Sequence, residues 1–357
     1  TLYHTYILDR IIQRENIAFV CSAGNIHTSE IMKDIISGKN YPDYLKKYFV
    51  ISPASAISSI GVGSLAKNNS SKGNHPNSIA KEGEISPYSC CGTNNVALFE
   101  CRKPDLVEHG GNLNRNGSMV SSSGLSGISS YTKDGNRTRD LFGTSFSSPL
   151  LARKLAEIEA KYKTKINNIE TLKAISFISC MPNQSLCAGY GEPISFTGCS
   201  DDHALFLSEG IIPLSDKTEK GKTVKYSDEI YIKVPNSSIE KITLCLVHSD
   251  DYHWEQIPAL NTYMVVEARK TGSDSIVPPI SSADINKKTN VKILSYSFDQ
   301  KSMEATWRFN LIPELTKRIP PKYRKQTNVR YGCAILLSRK DDRASKYSVT
   351  EQVKAVK

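Results

Sequence analysis

The N-terminal part of the chain combines two patterns of apolar positions. Ile7, Ile11 and Ile12 recur at helical spacing within residues 1–15, which predicts an amphipathic helix. The run "IAFVCSAGN" (Ile17 to Asn25) is nearly all apolar and ends in turn-forming residues. Such a run predicts a strand that is buried on both faces, as in a parallel sheet. A helix followed by a buried strand is typical of an α/β fold.

The pattern continues towards the middle of the chain. We expect a helix around "SEIMKDIISG" within residues 28–48 and a strand in "AISSIGVGSL" (Ala56 to Leu65). Helices are also predicted after Ser145 and over residues 168–180, with Pro149 early in the first of them, where helices tolerate proline. Residues 67–87 and 110–130 are rich in glycine, serine and asparagine and are expected to be loops.

The pattern changes beyond about residue 212. Short β-rich runs such as "EIYIKVP", "KITLCLVH" and "YMVVEARK" alternate there with polar turns. This favours an antiparallel β-sandwich or jelly roll. We therefore predict two domains, residues 1–212 with a mostly parallel, doubly wound α/β sheet and residues 213–357 with the β-sandwich.

Composition and charge narrow the classes of function. The 357 residues are 39% hydrophobic and 23% charged, which is typical of a globular protein. The net charge of +10 favours acidic partners, but no run of five or six basic residues occurs, and the densest stretch is "LTKRIPPKYRKQ" (Leu315 to Gln326). Nucleic-acid binding is therefore disfavoured. We expect no membrane span, because no stretch of 18 apolar residues occurs.

The nine cysteines do not form the pattern of a disulfide framework. Their number is odd, their spacing is irregular and no C-x-x-C pair suggests zinc. This favours a reducing compartment and hence the cytoplasm, with secretion as the alternative. One bridge, such as Cys180 to Cys187, stays open. The chain starts at Thr1 without the features of a signal peptide, so we expect it to begin inside a longer gene product.

Three short motifs could support catalysis. Ser145 in "GTSFSSPLLA" is predicted at a helix N-terminus, where backbone N–H groups favour developing negative charge, although an N-capping serine is the ordinary alternative. Asn25 ends the buried strand, where its amide could donate to an oxyanion or simply form a turn. The third motif, "KPDLVEHGG" (Lys103 to Gly111), indicates by itself only a strand end and a turn.

In this order, the three motifs resemble the asparagine, KPD-type and nucleophile boxes of the subtilisin-like (S8) serine proteases. "SSIGVGSL", "PYSCCG" and "GYGEPI" resemble smaller motifs of that family, and the resemblance covers roughly residues 5–195. It implies a subtilisin-type sheet and hydrolysis of peptide bonds through an acyl-enzyme. Ser145 would be the nucleophile, and Asn25 would stabilise the oxyanion together with the Ser145 N–H. Ser22, Ala23 and Gly24 would line one wall of the substrate pocket.

The chain departs from the family at its start. The motifs that hold the family's aspartate and histidine do not occur, and only 24 residues precede Asn25. We expect an N-terminal segment of the same gene product to supply both residues and to complete the sheet, because an incomplete parallel sheet would expose an edge. His109 is the most notable of the seven histidines as a substitute base. "VEHGG" resembles an intracellular branch of the family encoded beside an ATPase, so an ATPase partner is a further expectation.

Two other functions stay open, a binding scaffold and a basic nucleic-acid-associated protein, although no recognition motif supports the second of them. A catalytically inactive or latent scaffold that binds a protein partner would keep the sheet and the cleft. The segment "HSDDYHW" (His248 to Trp254) brings His248, Asp250, Asp251 and His253 close in sequence, which is compatible with a metal site but more typical of a polar turn. We therefore expect no metal and no cofactor, and a protein or peptide substrate.

Overall fold

The protein is described from a computed structural model. The structure describes residues 2–66, 76–92, 102–122, 126–181, 185–194, 203–214, 218–219, 222–223, 226–234, 241–249, 262–270, 272–280, 289–297, 306–315, 328–338 and 349–350. The basic stretch after Leu315 and the residues Asp250, Asp251 and His253 lie outside these ranges.

The predicted helices and strands of the N-terminal part are present, but β1 is short and only partly buried, and Ile17 and Phe19 before it are exposed, so the prediction of a strand buried on both faces is wrong there. The elements up to residue 194 are α1 (Leu2–Glu15), β1 (Val20–Ser22), α2 (Thr28–Ile36), β2 (Ile60–Leu65), β3 (Leu106–His109), β4 (Asn114–Asn116), β5 (Met119–Ser121), β6 (Ile128–Tyr131), β7 (Arg137–Leu141), α3 (Thr144–Tyr162), α4 (Ile169–Ile178), β8 (Cys180–Met181) and β9 (Glu192–Pro193). Two short 3₁₀ helices cover Asp43–Lys47 and Leu186–Ala188.

A parallel sheet forms the centre of this part. Its strand order is β1-β2-β3, with Val20 opposite Ile60 and Val62 opposite Leu106. All six residues of β2 are buried, as expected for a strand covered on both faces. The three strands end on the side where Asn25 and Gly110 follow, so residues after the strands meet at one edge of the sheet.

The stretch from residue 110 to 130 contains more structure than the sequence predicts. Among its described residues, β4 and β5 form one hairpin, and β6 pairs with β7 in a second. The strands β4, β5 and β6 have only three or four residues, and their side chains are mostly exposed or half-buried. Strands so short and so little buried have no apolar alternation, which explains why a loop was predicted.

The chain divides into two compact units. The first contains Thr1–Ala156 and Cys180–Ile194, and the second contains Glu157–Ser179 and Ser195–Lys357. The predicted boundary between residues 212 and 213 does not coincide with this division, because β10 (His203–Pro213) and helix α4 both belong to the second unit.

Antiparallel strands dominate the second unit. They are β10, β11 (Thr218–Glu219), β12 (Lys222–Thr223), β13 (Asp228–Lys233), β14 (Lys241–His248), β15 (Thr262–Lys270), β16 (Val291–Ser297), β17 (Thr306–Leu315), β18 (Asn328–Ser338) and β19 (Val349–Thr350). Five of them form a sheet in the order β16-β14-β18-β10-β19, where only β10 and β19 are parallel. Three others form a second sheet in the order β13-β17-β15.

Both sheets contribute to one hydrophobic core. Trp307 and Phe309 of β17 stack with their ring centroids 6.0 Å apart, and Tyr296 of β16 lies 5.7 Å from Trp307. Helix α4 packs against β18, where a side chain at Gly332 would lie 2.1 Å from the backbone nitrogen of Thr171. The two Arg330 donors Nε and Nη2 also bond the Glu170 carboxylate, at 2.8 and 3.1 Å. Glycine is required at position 332 because helix α4 approaches strand β18 closely there.

Candidate functional site

Ser145 lies at the exposed N-terminal end of α3. Gly143 precedes the helix with φ +146°, a backbone conformation that side chains disfavour, and Ser145 is the second helical residue. The first N–H groups of a helix have no partner within it, and the helix dipole favours negative charge there. Pro149 has no N–H, so it cannot donate to the Ser145 carbonyl as a helical residue normally would. The exposed Ser145 side chain therefore lies beside backbone donors.

Asn25 joins the end of β1 to the start of α3. Its side-chain oxygen Oδ1 accepts hydrogen bonds from the Thr144 backbone N–H at 2.9 Å and from the Thr144 hydroxyl at 3.1 Å. These two bonds orient the amide, because the oxygen faces the helix. The amide nitrogen Nδ2 is left on the side of Gly143, where an added Cβ would lie 3.3 Å from it.

Gly24 contributes to the same junction. Its φ of +109° favours glycine, and its N–H donates to the Thr144 hydroxyl at 3.3 Å. Ala23 is buried, and its N–H donates to the carbonyl of Val62 in the neighbouring strand. Ser22 is the half-buried last residue of β1. The structure thus brings Asn25 and Gly24 to Thr144, the residue before Ser145. Among the described residues, no hydrogen bond joins Ser145 to Ser22 or Ala23.

A network of buried hydroxyl groups lies next to Gly143, the residue that precedes α3. The carbonyl of Gly110 accepts from the Gly143 N–H at 3.0 Å and also from the hydroxyl of Tyr88. Tyr88 is fully buried, contacts the Ser64 hydroxyl at 2.8 Å and packs against Phe142. Burial raises the pKa of Tyr88 to about 12, so the hydroxyl keeps its proton and acts as a donor.

A disulfide holds the segment that borders Asn25. Cys91 is bonded to Cys187, 96 residues further along the chain, so the possible pairing of Cys180 with Cys187 is wrong. Next to this bridge, the Cys90 N–H donates to the Gly24 carbonyl at 3.1 Å, and Asn25 pairs with Ser89 in an isolated antiparallel bridge. The disulfide therefore anchors the chain that supports the Gly24–Asn25 turn.

His109 lies in an ion-pair cluster in the first unit. Its Nε2 is 3.9 Å from a carboxylate oxygen of Glu192, and in the described part of the chain no hydrogen bond joins it to Ser145. Ligand atoms of Glu108, His109 and Glu192 lie within 4.8 Å of one another, a spacing compatible with a metal ion. Lys154 of α3 contacts both carboxylates, at 2.9 Å from Glu192. Burial alone would lower the pKa of Lys154, but the contacts with Glu108 and Glu192 raise this pKa above its ordinary value. Lys154 is therefore positively charged and already provides the two carboxylates with the positive charge that a metal ion would bring.

His248 is buried in the second unit. Its ring nitrogens lie 3.0 Å from the Ser249 carbonyl and 3.2 Å from the Thr289 carbonyl. Burial lowers its pKa to about 4, and the two carbonyl groups offset this only in part. His248 is therefore a neutral side chain within the core near neutral pH. The metal site compatible with "HSDDYHW" stays a prediction, because its other three residues lie outside the described ranges.

Comparisons with known proteins complete this description. Among the helices in the described parts of the chain, none has the length and apolar composition that a membrane crossing requires. No curated protein sequence matches the chain. One similar solved structure is the self-cleaved protease domain of PatA, with 15% identity, a TM-score of 0.32, and coverage of 52% of this chain and 50% of that one.

A second similar structure is a serine-to-alanine mutant of the PatA protease domain, with 14% identity and a TM-score of 0.33. The match covers 52% of this chain and 48% of that one. The chain thus spans about half the length of these two structures. The family model described as the subtilase family (Peptidase_S8) matches residues 4–183. With half of its residues matched by that model, the chain belongs to the subtilase family of serine proteases.

Proposed function

We propose that this chain contributes the nucleophile and the oxyanion donors of a serine endopeptidase. Ser145 attacks the carbonyl carbon of the scissile peptide bond while a histidine outside this chain accepts its proton. The acyl-enzyme then forms with loss of the amine, and water hydrolyses it. The observation that best supports this proposal is the pair of hydrogen bonds from Thr144 to Asn25 Oδ1, because they place the Asn25 amide beside Ser145.

The oxyanion would be held by Asn25 Nδ2 and the backbone N–H of Ser145. Thr144 uses its own N–H to bond Asn25, so the next N–H group of the helix, that of Ser145, is the one that remains for a ligand. Ser22, Ala23 and Gly24 would line one wall of the pocket for the residue before the cleaved bond. A preorganised donor pair of this kind stabilises the charge that develops in the transition state.

A segment of the same gene product outside this chain would supply the catalytic histidine and aspartate. Two observations on β1 support this part of the proposal. Among the described strands, only β2 pairs with β1, so the other edge of β1 offers backbone groups for a further strand. Apolar side chains lie exposed nearby, at Ile17 and Phe19 before β1 and at Ile7 and Ile11 on one face of α1.

The completed molecule would have a doubly wound sheet of subtilisin type followed by a β-sandwich. An ATPase partner remains part of the proposal and rests on the sequence alone. The expected cytoplasmic location also rests on the sequence alone, and the Cys91–Cys187 disulfide supports the alternative, secretion, because structural disulfides persist mainly in oxidising compartments. The second candidate function is a latent or inactive scaffold that binds a protein partner. The exposed position of Ser145 at a helix N-terminus favours the protease, since a scaffold has no need of this arrangement.

Labelling with a fluorophosphonate probe tests the proposal. The chain and the chain extended by its natural preceding residues are treated in parallel, followed by intact mass measurement and peptide mapping. We expect labelling at Ser145 only in the extended protein. Ser145→Ala should abolish it, and Ser148→Ala, a matched serine one turn further along α3, should not. If the folded extended protein is not labelled, the protease proposal is wrong and the scaffold is favoured.

A further inference from the structure

Ile51 is an exposed apolar residue of the first unit that lies against Gly24, one of the residues of the proposed pocket wall. It is 54% exposed. A Cβ placed on Gly24 would lie 3.0 Å from Cγ1 and 3.1 Å from Cδ1 of Ile51. The end of the Ile51 side chain therefore occupies the side of Gly24 on which a side chain would project, and the exposed part of Ile51 extends beyond it.

Backbone hydrogen bonds fix the segment that carries this side chain. The Ile51 N–H donates to the Ala23 carbonyl at 3.0 Å, and the Ile51 carbonyl accepts from the Ser55 N–H at 3.2 Å. The N–H of the preceding residue, Val50, donates to the Gly92 carbonyl at 3.0 Å. Because the backbone is bonded on both sides of Ile51, its side chain has a fixed origin and cannot leave Gly24 without the loss of these bonds.

Gly24 connects Ile51 to the proposed reaction centre. The Gly24 N–H donates to the Thr144 hydroxyl at 3.3 Å, and Thr144 is the residue before Ser145. In the proposed function, the pocket along Gly24 begins at the carbonyl carbon that Ser145 attacks. A substrate side chain that extends from this carbon along Gly24 would therefore meet Ile51.

The position of Ile51 has a consequence for the size of the residues that fit. A side chain that overlaps packed atoms forces strained rotamers or backbone shifts, which are unfavourable. An alanine side chain is a single methyl group and can lie beside Gly24 without contact with the end of Ile51. Leucine and phenylalanine extend further and would compete with Ile51 for the same space.

We propose that Ile51 restricts the substrates of this protein to peptides with a small residue, such as alanine, immediately before the cleaved bond. This inference rests on the proposed function, because it requires that Ser145 cleaves peptides. It adds the class of substrate and the residue that selects it. Ile51 would contact the substrate side chain and take no part in proton transfer or oxyanion stabilisation.

Hydrolysis of three peptide p-nitroanilides by the chain together with its natural N-terminal segment tests the proposal. The peptides differ only in the residue before the cleaved bond, which is alanine, leucine or phenylalanine, and release of p-nitroaniline provides kcat/KM. We expect kcat/KM to be at least about tenfold higher for the alanine peptide than for the phenylalanine peptide, with leucine between them. Ile51→Ala should raise kcat/KM for the phenylalanine peptide about tenfold and leave the alanine peptide nearly unchanged.

Ile36→Ala is the matched control, since Ile36 belongs to the same unit and is 71% exposed at the end of α2. It should keep the wild-type ratio of the kcat/KM values, and circular dichroism and thermal unfolding establish that each variant is folded. If the folded protein cleaves no peptide and is not labelled at Ser145 by a fluorophosphonate, the proposed function is wrong, and this inference with it. If Ser145 is labelled, three results would overturn only the role of Ile51. They are equal cleavage of the alanine and phenylalanine peptides, no cleavage of the alanine peptide, or the same ratio in Ile51→Ala and Ile36→Ala.

Discussion

The side-chain oxygen of Asn25 lies 2.9 Å from the backbone nitrogen of Thr144, although 119 residues separate them in sequence. This hydrogen bond connects the turn after the parallel strand β1 to the start of helix α3. It keeps the Asn25 amide oriented and leaves the next residue, Ser145, exposed. The contact is therefore the structural basis of the proposed oxyanion site.

Under the proposed function, substitution of Asn25 in the chain together with its proposed N-terminal segment tests that site. We expect Asn25→Ala to lower kcat about 100- to 1,000-fold with little change in KM, because an oxyanion donor acts mainly on the transition state. Peptide hydrolysis under saturating and limiting substrate provides both constants. Asn77→Ala, at an exposed asparagine that bonds Asn116, is the matched control and should keep full activity. An unchanged kcat in Asn25→Ala would exclude the donor role.

Removal of the buried Tyr88 hydroxyl should destabilise the first unit. In Tyr88→Phe the Gly110 carbonyl and the Ser64 hydroxyl each lose a buried partner. The Gly143 N–H still donates to the Gly110 carbonyl and Ser86 still bonds the Ser64 hydroxyl, so the variant loses hydrogen bonds but leaves neither group unsatisfied. A buried hydrogen bond contributes about 0.5–1.5 kcal/mol, so we expect a loss of about that size in the free energy of unfolding. Urea denaturation measures it. Tyr131→Phe, at a tyrosine that is 75% exposed, should change stability by less than about 0.5 kcal/mol.

Sequence patterns identified both ends of the Asn25–Thr144 junction but not the network beneath it. Asn25 and Ser145 lie in short motifs that can be recognised locally, because Asn25 follows a strand and Ser145 lies at the start of a helix. The carbonyl groups that accept from the Tyr88 hydroxyl belong to Gly110 and Gly111, which are 22 and 23 residues further along the chain. No local sequence pattern indicates such a contact. The pairing of Cys91 with Cys187 was missed for a similar reason, since spacing alone does not determine connectivity.

Loss of the disulfide should lower stability substantially. It closes a long loop, and removal of a native bridge typically costs about 2–5 kcal/mol. We expect the double variant Cys91→Ala/Cys187→Ala to lose a free energy of unfolding in that range. Denaturant titrations with and without reductant measure the change. Reductant should destabilise the wild type to the level of the double variant and leave the double variant unaffected. A wild type insensitive to reductant would contradict the structural role of the bridge.

The buried His248 should make stability depend on pH. Its pKa is lowered from 6.5 to about 4 in the folded protein, so between these values the unfolded chain binds a proton that the folded protein does not. Stability is therefore complete above about pH 6.5 and decreases as the pH falls towards 4, by up to about 1.4 kcal/mol per pH unit.

Denaturation of the wild type and of His248→Gln at pH 7 and pH 5 measures this contribution. The variant cannot titrate at this position, so its stability should decrease less between the two pH values. An identical pH dependence in His248→Gln and the wild type would show that His248 is not held neutral.

The parallel order β1-β2-β3 has a consequence for the kinetics of folding. The paired residues are about 40 positions apart at each step, from Val20 to Ile60 and from Val62 to Leu106. Such non-local contacts form slowly, because long loops must close before any pairing is gained. During that interval the exposed Ile17 and Phe19 can associate with other chains. Refolding yield should therefore fall as protein concentration rises.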